Sequence, residues 1–305
     1  MKLSGIIKTI KDPWHLVIAL SQRGLLDHLS DETYLKLNFR AAVGKKLDLK
    51  NPQTFNEKLQ WLKLYDRKTI YTTMVDKYEV KKYVADIIGE EYIIPTLGVW
   101  DRFEDIDFDA LPNQFVLKCT HDSGGLIICR DKSKLDINAA REKINKALRR
   151  DYYLYSREWP YKDVKPRIIA ENYMEDEKSE ELRDYKFFCF DGEVKVFYIT
   201  SGRKTGDRRT DFFDLKMNHL DIQDDDKNAD IPPEIPKGVD EMIRLAAKLS
   251  KGIPHVRVDF YEINGKVYFG ELTFFYLSGF VPFVPSQWDE IFGSWITLPE
   301  KTEEE

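Results

Sequence analysis

Residues 255–273 of the 305-residue chain, His255-Val256-Arg257-Val258-Asp259-Phe260-Tyr261-Glu262-Ile263-Asn264-Gly265-Lys266-Val267-Tyr268-Phe269-Gly270-Glu271-Leu272-Thr273, bring Arg257 and the carboxylates of Asp259 and Glu271 into one short stretch. Asn264-Gly265 between two alternating runs is a strong hairpin signal. On the first strand Val256, Val258 and Phe260 share one face, and His255, Arg257 and Asp259 share the other. Loop length then decides where Glu271 goes. A two-residue turn sets Asp259 and Glu271 on opposite faces. A three-residue loop, Ile263-Asn264-Gly265 with Gly265 left-handed, sets Arg257, Asp259, Glu271 and Thr273 on one face; only an odd loop or a bulge does so. Two acids and an arginine on one buried face call for a counter-ion, and the chemistry expected there is Mg2+ carrying a nucleotide polyphosphate. The competing reading is an edge hairpin with a solvated polar face.

Other residues suit an anion. In the strand Phe115-Val116-Leu117-Lys118-Cys119 a lysine interrupts an apolar run. The loop Thr120-His121-Asp122-Ser123-Gly124-Gly125 and the strand Leu126-Ile127-Ile128-Cys129 follow. Such a tip lets backbone N–H groups close over phosphate oxygens while the strand lysine reaches in. An ordinary turn is the alternative, and there is no Walker A pattern. A helix over 75–88 is expected to bury Val80, Val84, Ile87 and Ile88, and at about 100° per residue Lys77 falls on that stripe. It either snorkels off the helix end or meets an anion. The basic segment Gly202 to Arg209 offers Arg203, Arg208 and Arg209 to an anionic substrate, or else to solvent. Asp224, Asp225 and Asp226 read as a solvated loop, because no apolar strand delivers them to a pocket. The aromatic-rich stretch 152–161 is expected to be a loop packed over the core.

The elements that must position these residues follow from pattern. Residues 12–24 read as a helix that packs on the domain, residues 31–43 as a second helix, and Thr54-Phe55-Asn56-Glu57 as a capping box opening a third. A helix over 136–149 follows the glycine loop. Arg167 to Tyr173 is a strand running into a polar hinge. Residues 183–190 and 194–198 form a hairpin through Asp191-Gly192. A net charge of −6 excludes a general nucleic-acid binder, and 42% hydrophobic residues suffice for a core. Three cysteines in apolar surroundings suit a reducing cytoplasm rather than a disulfide framework. No apolar run is long enough to span a membrane.

Taken in order, Lys77, Lys118 with its glycine loop, Glu171-Asn172-Tyr173, Asp184, Arg257-x-Asp259 and Glu271-x-Thr273 resemble the ATP-grasp superfamily. Asn51-Pro52-Gln53-Thr54-Phe55-Asn56-Glu57-Lys58-Leu59-Gln60-Trp61, Asp76-Lys77-Tyr78, Phe115-Val116-Leu117-Lys118, Arg167-Ile168-Ile169-Ala170-Glu171 and Gly270-Glu271-Leu272-Thr273-Phe274 resemble more narrowly its TupA-like, teichuronopeptide-biosynthesis family. The resemblance implies an α+β fold in which two lobes with antiparallel sheets clamp a nucleotide behind an N-terminal helical region. The expected division is a helical region over 1–75, a catalytic domain over 76–300 (small lobe about 113–172, large lobe about 173–300) and an acidic tail over 301–305.

By matching positions, the resemblance implies ATP contacts from Lys77, Lys118, Ser123, Gly124, Gly125, Glu171, Asn172, Tyr173 and Asp184. Lys186, beside Asp184, joins them from its strand position. Mg2+ falls to Asp259, Glu271 and Thr273, the last standing where many relatives carry Asn. Arg257 is the implied catalytic residue. The implied reaction joins a small-molecule or glycan-precursor carboxylate, such as a uronic acid, to an amine or amino acid in surface polysaccharide synthesis. The setting is cytoplasmic, in peripheral association with a membrane-bound polysaccharide assembly. An ATP-dependent sugar kinase and a glycosyltransferase are the competing enzyme classes.

Overall fold

The computed structural model describes residues 13–177, 182–202 and 206–301. Two antiparallel sheets face one another across a cleft. The smaller has the order β1-β4-β2-β3, with β1 Thr96–Trp100, β2 Phe115–Cys119, β3 Leu126–Cys129 and β4 Ile168–Asn172. The larger has the order β10-β9-β5-β6-β7-β8, with β5 Asp184–Phe190, β6 Glu193–Ser201, β7 Arg209–Asp214, β8 His219–Leu220, β9 Val256–Ile263 and β10 Lys266–Thr273. β1 is a strand that the sequence pattern did not signal. The architecture is the α+β, two-sheet arrangement expected, with a helical region before it.

Each sheet is backed by a helix whose apolar stripe matches it. Ile137–Leu148, started by Asp136 accepting the N–H groups of Asn138 and Ala139, lays Ala140, Ile144 and Ala147 against Leu117, Cys119 and Ala170. Val239–Leu249 lays Met242, Leu245, Ala246 and Leu249 on the large sheet. The large sheet is covered on both faces, which is why all seven residues of β5 are buried.

Local signals explain most helix ends. Thr54 and Glu57 exchange side-chain bonds with each other's backbone N–H at 3.3 and 3.1 Å, so Phe55–Tyr65 starts where the capping box says. Ser30 caps Asp31–Val43, and left-handed Gly44 ends it. The first helix, Pro13–Ser21, packs on that second one through a Ser21–Asn38 hydrogen bond of 2.8 Å. Among the described residues no helix is long and apolar enough to cross a membrane.

The structure corrects three expectations. The helix placed over 75–88 is two helices, Ile70–Val75 and Glu79–Ile88. Asp76 divides them by accepting the N–H groups of Tyr78 and Glu79, which leaves Lys77 in a turn and Ile87 exposed. The aromatic stretch is a short helix, Tyr152–Ser156, and a 3-10 turn, Trp159–Tyr161. The hairpin at 255–273 has a two-residue turn: Ile263 pairs with Lys266, and Asn264 and Gly265 both have positive φ, 52° and 79°. Parity is reversed further along. Phe269 pairs with Phe260, but Glu271 pairs with Asp259, so Gly270 is the extra residue of a β-bulge. A Cβ at Gly270 would lie 3.0 Å from the Asp259 carbonyl oxygen and 3.2 Å from the Tyr261 ring, which favours glycine there. Val267, Phe269 and Leu272 thus all reach the core, and Glu271 and Thr273 join Arg257 and Asp259.

Candidate active site

Arg257 is the centre of the large-sheet face. Its guanidinium grips Asp259 with two bonds of 2.7 Å (Nε to Oδ1, Nη2 to Oδ2) and also donates to Thr273 Oγ1 at 2.9 Å and Tyr198 Oη at 3.2 Å. Nη2 reaches Glu271 Oε1 at 3.2 Å. Lys186, opposite Asp259 in the β5–β9 register, closes on the same carboxylate and lies 3.8 Å from Asp184. Asp259 is 1% exposed. Burial raises its carboxyl pKa, but Arg257 and Lys186 more than reverse this and hold it below the usual value. Burial likewise pulls Lys186 down while Asp259 lifts it, for a net rise. Glu271 differs: its side chain is 49% exposed and faces the cleft.

Across the cleft the side of the smaller sheet presents cations. Lys118 from β2 binds Glu171 Oε2 at 2.5 Å, and Lys81 from Glu79–Ile88 binds the other oxygen. Burial raises the Glu171 carboxyl, and Lys118 and Lys81 bring it to a net value below normal. Lys77, in its turn, gives its ammonium to the Asp122 carbonyl. Burial lowers its pKa, Glu271 opposes that, and Lys118 adds to it. A cavity of about 300 Å³ separates the lobes, with Lys77, Lys81, Lys118 and Glu171 on one side and Asp184, Lys186 and Glu271 on the other. Val80, Ile93, Ile94 and Leu126 give it an apolar side.

The glycine loop is tied down more than its sequence suggests. Gly125 donates its N–H to Asp122 Oδ1 at 2.9 Å and its carbonyl accepts from Cys119, leaving Ser123 and Gly124 as the exposed tip. Asn172 ends β4 and Tyr173 follows it where the chain leaves the small sheet; the Asn172 N–H is given to the Pro95 carbonyl. The three arginines separate. Arg208 enters the cleft, held to Asp226 at 2.5 Å. Arg209 bonds Asp207 and the Asn228 carbonyl and lies off the cleft lining. Arg203 lies outside the described residues.

Beyond Glu271 a second chamber of about 540 Å³ opens, and the aspartates read as a solvated loop line it. An isolated bridge between Gln223 and Val284 brings them in, a pairing no local pattern signals. Asp224 accepts the Tyr276 hydroxyl, and burial raises its carboxyl pKa. The chamber's rim, Tyr276–Gly279, holds Leu277 at φ 45° and Ser278 at φ 55°. Left-handed backbone costs about 1–2 kcal/mol per non-glycine residue, so something must hold this turn. Gln60 donates to the Ser278 and Gly279 carbonyls at 3.1 and 2.7 Å, and Lys63 donates to Ser278 at 2.8 Å. The 51–61 motif therefore serves the site from a distance: Asn56 binds Asp289, and Lys58 binds the carbonyls of Gly293 and Ile296.

Sequence reasoning did not single out Lys81, Tyr261 or Glu158. Lys81 lies four residues after Lys77, and Tyr261 shares the Arg257 and Asp259 face by strand alternation; both signals were readable. Among the described residues no cluster of three or more His, Cys, Asp or Glu is set to hold an ion. Two carboxylates and a hydroxyl, all oxygen donors, are nonetheless a donor set that suits Mg2+ completed by phosphate oxygens.

Comparison with solved structures gives D-alanine–D-alanine ligase from Helicobacter pylori at 15% identity, covering 80% of this chain and 69% of that one with a TM-score of 0.45. The ATP complex of D-alanine–D-alanine ligase from Bacillus anthracis is 19% identical over 66% of this chain and 53% of that one, TM-score 0.39. The ATP-grasp ligase PsnB with its minimal precursor is 11% identical over 68% and 55%, TM-score 0.39. The chain thus spans under two-thirds of the length of several ligases it matches. No curated protein matches it. The TupA-like ATPgrasp family matches residues 57–297, which takes in both sheets, the bulged hairpin and the clasp on the strained turn, and the protein belongs to that family.

Proposed function

We propose that the protein is an ATP- and Mg2+-dependent carboxylate–amine ligase that forms an amide through an acyl phosphate. The observation that carries this reading is the bulged hairpin, which sets Asp259 and Glu271 opposite one another around Arg257 and facing Lys77 and Lys118. Asp259 and Glu271, with Thr273, are the residues to hold Mg2+, which when bound neutralises phosphate oxygens as the γ-phosphoryl group leaves. Lys77, Lys118 and Lys186 bind the polyphosphate; their present partners, a carbonyl and the carboxylates of Glu171 and Asp259, occupy ammoniums that phosphate would share. The tip at Ser123 and Gly124 covers the phosphates, and Asp184 with the end of β4 takes the nucleoside. Arg257, held rigidly by four neighbours, donates to the acyl phosphate and to the oxyanion formed when the amine attacks.

For substrate we propose a uronic acid or similar sugar carboxylate of a surface-polysaccharide precursor. Its support is the likeness to the TupA-like ATPgrasp family over residues 57–297. Three buried free cysteines support a reducing cytoplasmic setting. The test is ADP release by purified protein with uronic acids and amines supplied singly and together. A ligase releases ADP and phosphate only with both. ADP with a stable phosphorylated sugar, or nucleoside diphosphate released from a sugar nucleotide without ATP, would refute the reading in favour of a kinase or a glycosyltransferase.

A further inference from the structure

The second chamber is acidic in a way that the nucleotide site does not require. Glu158 is 5% exposed, and its Oε1 accepts the hydroxyls of Ser156 and Ser278 at 2.9 and 2.7 Å. Its Oε2 has no hydrogen-bond partner among the described residues, although the residue lines the chamber. Asp224, on the same lining, is held by Tyr276 and by the Asp226 N–H; among the described residues no cation forms a salt bridge with it, though Arg208 feels its charge. The cations on the lining are engaged elsewhere: Arg208 with Asp226, Arg257 and Lys186 with Asp259, and Lys77 with the Asp122 carbonyl. Lys63 stands behind Glu158 and feels its charge, but its ammonium bonds the carbonyls of Ser156 and Ser278 rather than the carboxylate, and burial pulls its pKa down to about 7 although Glu158 opposes this. A buried carboxylate with an unfilled oxygen is costly, and two carboxylates in one cavity are relieved by a cation. The lining beside Glu158 adds aromatic faces: Tyr161, whose hydroxyl has no hydrogen-bond partner among the described residues, and Tyr152 packed against it. Rings of this kind suit an ammonium and its carbon chain.

We infer that this chamber holds the amine co-substrate, and that the amine is net-cationic, a diamine or basic amino acid whose ammonium sits between Glu158 and Asp224. Its place as co-substrate rests on the ligase reading; its charge preference rests on the chamber alone. The strained turn at Leu277 and Ser278 gains a purpose, because Ser278 orients Glu158 and Tyr276 orients Asp224 from one short segment. The chamber adjoins Arg257, Glu271 and Thr273, so an amine held there stands beside the residues assigned to the acyl phosphate.

Calorimetric titration of the full chain with cadaverine, L-lysine, L-glutamate and glutarate tests the inference without turnover. Cadaverine and L-lysine are expected to bind, and the two anionic probes are not. Glu158→Gln and Asp224→Asn should each weaken cadaverine about tenfold, with melting temperature read alongside. Where a variant does not fold, the wild-type preference among the four probes decides. Anions bound as well as cations, no cation bound, or cadaverine affinity unchanged in both variants would each overturn the assignment. ADP release separates the two readings. Cadaverine that binds while no carboxylate and amine pair elicits ADP sinks the ligase reading and keeps the chamber. ADP release that prefers L-glutamate as the amine keeps the ligase and sinks the chamber.

Discussion

Replacing Arg257 by alanine tests the site at its centre. The substitution removes two 2.7 Å bonds from Asp259, one of 2.9 Å from Thr273 and the contact with Glu271, and leaves a carboxylate that is 1% exposed with Lys186 as its remaining cation. Removing one partner of a buried ion pair costs about 3–5 kcal/mol, because the other charge stays desolvated. For a chain of this size that is a loss of roughly 10 °C in melting temperature. Most of the cost lies in the stranded charge, so Arg257→Ala combined with Asp259→Asn should regain much of it. Lys186 then keeps Asp184, 3.8 Å away. A double-mutant cycle by urea denaturation reads the coupling, which must exceed the cost of Asp259→Asn alone if the double variant is to be more stable than Arg257→Ala. Turnover separates structure from chemistry. Loss of a donor aimed at developing charge lowers kcat by about 10²–10³, while affinity for a non-hydrolysable ATP analogue should fall within about threefold. Additive destabilisation by the two substitutions, or nucleotide affinity falling in step with turnover, would refute the reasoning.

Asp259→Asn alone should abolish Mg2+-dependent nucleotide binding, and an unchanged ATP titration with and without the ion would contradict the donor assignment. Gly279→Ala puts a Cβ 2.4 Å from Gln60 Nε2 and 3.0 Å from Leu59 Cβ at a residue with φ of 62°, so unfolding free energy should drop by about 1–3 kcal/mol; a urea midpoint equal to wild type would disprove the clasp. Stability should also decline with acid in two stages. Burial pushes His255 down to about 3 from an ordinary 6.5, so the unfolded chain takes up a proton first and stability falls as pH drops below about 6.5. Asp259 and Glu171, held below their ordinary 3.8 and 4.5, contribute stability that is present above those values and lost as pH falls through the depressed folded-state ones. Urea midpoints that stay level from pH 7 to pH 3 would exclude both stages.

Much of this was legible in the chain. Caps at Ser30, Thr54 and Asp136 and the Asn264-Gly265 turn are local chemistry, and the structure follows them. The demand that Asp259 and Glu271 share a face was legible too, but the device was not. An odd turn and a bulge satisfy the same parity, and Gly270 inside a regular alternation does not announce which. Lys77 was misplaced because Asp76, read as part of a helix, spends its side chain starting the next one. The acidic wall was missed for a different reason. Asp224 reaches the chamber through a single bridge between Gln223 and Val284, 61 positions apart in sequence, and composition carries no trace of such a pairing. Gln60 and Lys63 read as ordinary helix residues because the turn carbonyls they bind lie over 210 residues downstream.

That clasp also sets an order in time. The residues that brace the turn at 276–279 leave the ribosome before it, and the turn itself emerges over 200 residues later. At about 5–20 residues per second, roughly 10–45 seconds separate them. During that interval Gln60 and Lys63 are polar groups prepared for a core that does not yet exist. The site is therefore completed by nearly the last part of the matched region to be made. A ribosome-bound chain that has released its entire nucleotide-facing small lobe would still have no second chamber.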